Sequence, residues 1–164
     1  MLPTEIKVGH VFRYSYLWHW QHREGREEAE KDRTCLVLAL VTMQEDGSPV
    51  VRVLPITHTP PSEPTDAIEI PAAVKLRLRL DSERSWIVLT ESNRFAWPGP
   101  DIRPLETESG YYGPLPPALF AAVKCRFVAI ARSQAHRSTP RSRNGLVLCM
   151  PGGACGHVSF SAPT

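Results

Sequence analysis

The chain has 164 residues, 42% hydrophobic and 22% charged, with a formal net charge of +2. That is the make-up of one globular domain with room for a real core. No apolar run is long enough to span a bilayer and residues 1–9 lack the apolar stretch of a secretory signal, so no membrane association and a cytoplasmic location are expected.

Charge is spread unevenly. Up to Glu108 there are 13 Lys or Arg against 17 Asp or Glu, a balance of −4, and beyond it 6 against none, a balance of +6. A basic end of this kind either attracts phosphates or is simply solvated.

The first predicted element covers residues 10–17, where Phe12, Tyr14 and Tyr16 share one face and Val11, Ser15 and Leu17 the other, the alternation of a strand. The polar stretch 19–32, with Glu24, Glu27, Glu28 and Glu30, reads as a mobile loop or a short helical turn. Residues 34–42 are β-branched and leucine-rich, as in a buried strand. Asp46-Gly47 then marks a hairpin into a strand over 50–57, stopped by Pro60-Pro61. Short strands are expected over 67–70 and 85–90, and Trp97-Pro98-Gly99-Pro100 forms a turn. Helical spacing emerges late, where Leu119, Phe120, Val123, Phe127 and Ile130 follow Pro116-Pro117; the helix ends near Arg132. Several short strands and one late helix predict a mainly β fold, a small closed antiparallel barrel with a C-terminal helix.

From Ser133 onward Arg, Ser, Pro and Gly dominate, apart from an apolar island at 146–150. Residues 133–164 are read as a disordered tail, which leaves 1–132 as the single domain. Cys35 and Cys125 lie in apolar runs, as small core residues do. Cys149, Cys155 and His157 match no zinc spacing, so neither a metal nor another cofactor is expected.

Three segments, in order, resemble the MazF/PemK toxins of type II toxin–antitoxin systems. Gly9-His-Val-Phe-Arg-Tyr14 with Lys31-Asp-Arg-Thr-Cys-Leu-Val-Leu38 is similar to the family's opening strand and its arginine-bearing element. Val53-Leu-Pro-Ile-Thr57 is similar to the strand that ends in the family's threonine. Ser85-Trp-Ile-Val-Leu-Thr-Glu-Ser-Asn-Arg94 resembles its later strand and turn. The PemK-like subgroup is nearest, through Trp97-Pro-Gly-Pro-Asp101, and the resemblance covers residues 5–131. Two positions depart from the pattern: Thr34 stands where proline is usual after the arginine, and Ser92 where glutamine is common.

The resemblance implies an SH3-like barrel acting as an endoribonuclease on single-stranded RNA, mRNA in the cell. It also implies a homodimer, a cognate antitoxin protein as restraint, and growth inhibition as the outcome. The chemistry suits the residues. RNA carries its own nucleophile, the 2′-hydroxyl, so no metal is obligatory and the products are a 2′,3′-cyclic phosphate and a 5′-hydroxyl. A guanidinium is always cationic and forks onto phosphate oxygens. Arg33 and Thr57 match the family's catalytic arginine and threonine. The resemblance assigns Arg33 to transition-state stabilisation and proton donation, and Thr57 to orienting the phosphate or assisting the 2′-hydroxyl. Without it, Arg33 reads as a surface charge and Thr57 as a good strand former.

Trp18, Trp20 and Trp97 fall in or beside loops and either stack on unpaired bases or pack in the core. His19 and His22 flank Trp20 in the polar stretch. His58 follows Thr57, and alternation points it to the opposite face. Arg94 contacts phosphate or pairs with Glu91. The rival reading is a non-catalytic SH3-like barrel that binds nucleic acid or a partner protein. Convergence of Arg33 and Thr57 in one groove is the feature that separates the two.

Overall fold

The structure, a computed structural model, describes residues 1–133 and 135–141. In chain order these form β1 (His10–Ser15), α1 (His19–Arg23), β2 (Asp32–Met43), β3 (Pro49–Thr57), a 3-10 turn (Pro64–Asp66), β4 (Ala67–Glu69), α2 (Ala72–Arg77), β5 (Trp86–Val88), β6 (Glu91–Ala96), β7 (Ile102–Arg103), β8 (Gly113–Pro114), α3 (Pro117–Arg132) and β9 (Arg137–Arg141). Among them no helix is long and apolar enough to cross a membrane.

The strands make one mainly antiparallel sheet along the path β4-β5-β3-β2-β1-β7, with β6 on β3, β8 on β1 and β9 on β6. The path ends at β4 and β7, which do not pair, so the ladder is open where the sequence predicts a closed barrel. The long strand β3 explains this. Its Val50–Val53 half pairs with β6, while Ile56 and Thr57 pair with β5, so one edge feeds two separate branches.

Both faces of the central strands are buried. Val11, Leu36, Leu38, Leu54 and Ile56 join one apolar cluster, and Phe12, Tyr14, Cys35, Val37, Val51 and Val53 join another. Strands covered on both sides read as near-continuous apolar runs, which is why 35–38, all buried, shows no polar alternation. The first cluster is roofed by α3, with Val123 fully buried and Leu119, Phe120, Phe127 and Ile130 packed around it. Pro117 opens α3, where a missing N–H costs nothing.

Of the two readings of the polar stretch after β1, the helical turn holds at its start, where α1 forms. Two other expectations change. Cys125 is exposed on α3, whereas Cys35 is buried as expected. The segment read as the start of a disordered tail contains β9, which lies parallel to β6 from Arg137 to Arg141. It has no apolar period to betray it. Its anchors are the fully buried Thr139 and an ion pair of Arg141 with Asp101 at 2.6 Å. Cys149, Cys155, His157 and the island at 146–150 lie outside the described residues.

Candidate functional site

Strand register brings Arg33 and Thr57 together. Cys35 pairs with Pro55 and Leu36 with Leu54, and Arg33 and Thr57 lie just beyond the last of these pairs, at the same end of β2 and β3. Both line an open groove of about 480 Å³, with Trp18 and Trp20 on one side and Thr59, Pro60, Pro61 and Ser62 on the other. Asp66, Ala67, Val88 and Thr90 complete it.

The tryptophan wall is built from below. Beyond β1 the backbone N–H of Leu17 donates to Asn93 Oδ1 at 3.0 Å, and the Asn93 amide donates back to Leu17 O at 2.8 Å. Next in the chain, the Trp18 N–H donates to Gln21 Oε1 at 3.1 Å, and the His19 N–H to Glu91 Oε1 at 3.0 Å. Tyr16 Oη also donates to Glu91, at 3.3 Å. Burial pushes the Glu91 carboxyl above its ordinary range, and these two donors partly offset it. The result is a fixed Trp18 whose ring lies 5.0 Å from the Arg33 guanidinium, a cation–π pair. Trp20 stays half exposed, with Arg26 5.4 Å from its ring.

Arg33 keeps its charge for the groove. Its neighbour Asp32 bonds Arg103 at 3.1 Å and Arg13 at 3.5 Å instead, and among the described residues Arg33 has no ion-pair partner. Thr57 Oγ1 accepts from the Thr59 N–H at 3.2 Å, which leaves its own O–H free to donate. Asp66 supplies the one carboxylate in the groove's lining. Sequence reasoning missed it, because no spacing links Pro64-Thr65-Asp66 to Arg33. The fold alone brings them together.

His58 lies on the other side of Arg33, as strand alternation predicts. A second pocket of about 240 Å³ there is lined by Arg33, Thr34, Ile56, His58, Lys75, Asp81 and Ser85, with Asp32 and Leu80. His58 Nδ1 lies 3.0 Å from Arg84 O, and Nε2 lies 3.2 Å from Asp81 Oδ2. Behind it, the buried Lys75 ammonium donates to Asp81 Oδ1 at 2.7 Å, to Ser85 Oγ at 2.6 Å and to Glu83 O. A buried charge is tolerable only with its donors satisfied, and here all three are. Burial pushes the Asp81 carboxyl up, but the Lys75 hydrogen bond and charge and the His58 charge win, and the net shift is downward. This clamp fixes the loop that walls off the second pocket.

Two sequence candidates lie elsewhere. Trp97 is 6% exposed and packs 6.2 Å from Phe12 and 6.1 Å from Phe95, so of its two readings the core one holds. Arg94 neither lines the groove nor pairs with Glu91; it sits opposite Arg52 on β3. Ser92, beside it, is fully buried and bonded to Arg52 and His136. Among the described residues no group of His, Cys, Asp and Glu is arranged to hold a metal ion.

Compared with protein-family models, curated proteins and solved structures, the chain finds no match in any of the three.

Proposed function

We propose that the chain is a MazF/PemK-like toxin, an endoribonuclease that cleaves single-stranded RNA without a metal. The observation that supports this is the shared groove, in which an arginine with no carboxylate partner and a threonine with a free O–H stand beside two tryptophans. A purely structural role does not require an unpaired guanidinium at that place.

In this reading the scissile phosphate lies between Arg33 and Thr57. Arg33 forks onto its non-bridging oxygens and stabilises the charge of the crowded phosphorane. The Thr57 hydroxyl donates to a phosphate oxygen and holds it in line. Asp66 accepts the proton of the 2′-hydroxyl. The O2′–P bond forms as the P–O5′ bond breaks, and the 5′-oxygen takes a proton from the Arg33 guanidinium, which recovers one from water. The products are a 2′,3′-cyclic phosphate and a 5′-hydroxyl. Trp18 and Trp20 offer faces on which flanking unpaired bases stack.

The same reading takes the sheet as an SH3-like barrel with α3 as its C-terminal helix. It makes the protein a cytoplasmic growth inhibitor, working as a homodimer and restrained by an antitoxin segment that fills the groove. The test is incubation with mixed-sequence single-stranded RNA in EDTA, beside Arg33→Ala, Thr57→Ala and Asp66→Asn. The proposal expects fragments with 5′-hydroxyl ends from the wild type and at least a hundredfold loss in the arginine variant, a magnitude typical of removing one group that stabilises transition-state charge. A folded wild-type protein that binds these RNAs and cuts none of them favours the non-catalytic binding module.

A further inference from the structure

The ladder between β3 and β6 sets Arg52 directly opposite Arg94. Directly opposed residues project from the same face of a sheet, and like charges so placed repel. Among the described residues neither has an ion-pair partner. Burial, with the Arg94 charge second, lowers the Arg52 pKa.

Arg52 stacks on the Phe127 ring, 5.6 Å away, and is hydrogen-bonded along one edge. One Nη donates to Ser92 Oγ at 2.8 Å and lies 3.3 Å from His136 Nε2. His136 Nδ1 lies 3.0 Å from Leu89 O. A carbonyl only accepts, so the ring proton is on Nδ1 and Nε2 is an acceptor. Among the described residues Arg94 makes no such bonds, and its Nε is buried without a hydrogen-bond partner. The parallel register sets Ser138 beside Ser92, hence on the same face as Arg52 and Arg94. Ser138 Oγ is also buried and unpartnered. Three buried side-chain atoms lack a partner among the described residues, and two of them belong to this one spot. Orphaned buried donors are rare in folded proteins, and a bound ion is one standard explanation.

We propose that Arg52, Arg94 and Ser138 form an oxyanion site for a phosphate group, distinct from the Arg33–Thr57 groove and independent of the cleavage reading. Alternation along β3 puts Arg52 and Thr57 on opposite faces, so one phosphate cannot occupy both places. Two adjacent guanidiniums suit a doubly charged group, and two forks with a hydroxyl supply donors that are not coplanar, as a tetrahedral anion requires. Free phosphate and an RNA backbone phosphate share this chemistry.

The experiment is thermal unfolding in sodium phosphate against sodium chloride at equal ionic strength, for the wild type, Arg94→Gln, Ser138→Ala and Arg33→Gln. Because Arg94→Gln also relieves repulsion, the readout is the difference between the two salts. A saturable, phosphate-specific rise in Tm is expected in the wild type and in Arg33→Gln, and Arg94→Gln should lose the part of it that Arg33→Gln retains. Ser138→Ala should need about tenfold more phosphate, the loss of one hydrogen bond to a charged group. It also keeps the test open if Arg94→Gln fails to fold. An oligoribonucleotide made uncleavable by 2′-O-methyl groups identifies the source. About tenfold weaker binding to Arg94→Gln marks an RNA phosphate, and equal binding beside a lost phosphate effect marks free phosphate. No phosphate-specific rise in the wild type, or one that Arg94→Gln retains in full, overturns the site.

Discussion

Trp18 and Trp97 show how one residue type takes two parts. Trp97 is enclosed by Phe12 and Phe95 in the aromatic cluster, while Trp18 stands at the groove beneath Arg33. Trp97→Ala should cost about 3–5 kcal/mol of stability, the usual figure for emptying an aromatic core position. Trp18→Ala should cost less stability, since Trp18 is only partly buried against that cluster, and should weaken binding of a single-stranded oligonucleotide by about 1–3 kcal/mol, the worth of one base stack. Chemical denaturation and fluorescence anisotropy on both variants check the split. Equal loss of stability in the two would place Trp18 in the core as well.

Legibility varies from element to element. β1, β2 and β3 were readable because their apolar residues are numerous and β-branched, and α3 because its apolar spacing is helical. β6 was not, since Glu91, Ser92, Asn93 and Arg94 carry no apolar period. Its buried Asn93 is paid for by the two hydrogen bonds to Leu17, a contact across 76 residues that no local pattern announces. Asn93→Ala should therefore cost roughly 2–4 kcal/mol, since it leaves two buried backbone groups unpaired, and should also loosen the Trp18 wall. A denaturation midpoint unchanged from wild type would contradict this. For the candidate site, the sequence brought out Arg33 and Thr57 only through a family resemblance. Their meeting in one groove follows from β2 and β3 ending at the same place, and Asp66 enters from a turn that local reasoning cannot place.

β9 adds a pH dependence at the same scale. Burial lowers the His136 pKa below its ordinary value of 6.5; the Leu89 carbonyl opposes this and the Arg52 charge adds to it. As pH falls below that value the unfolded chain takes up a proton that the fold resists. The stability from neutral His136 is thus complete above about 6.5, and is lost progressively as pH drops to the lowered folded value. Urea midpoints measured from pH 7.5 down to 5.5 should decline, and His136→Gln should flatten part of that decline. An identical slope in the variant would assign the effect to other groups.

At the scale of the whole molecule, the open ladder has a purpose in the account. β3 divides its second edge between β5 and β6, and the β5 branch, with the turn before β4, carries Asp66, Ala67 and Val88 into the groove wall. The central claim is that Arg33 and Thr57 act on one phosphate, and a double-mutant cycle tests it most directly. Single-turnover cleavage of one RNA would be measured for the wild type, Arg33→Ala, Thr57→Ala and the double variant. The account predicts that the double variant is scarcely slower than Arg33→Ala alone, because groups that work as a unit are strongly non-additive. Losses that simply multiply, or full activity in either single variant, would contradict it.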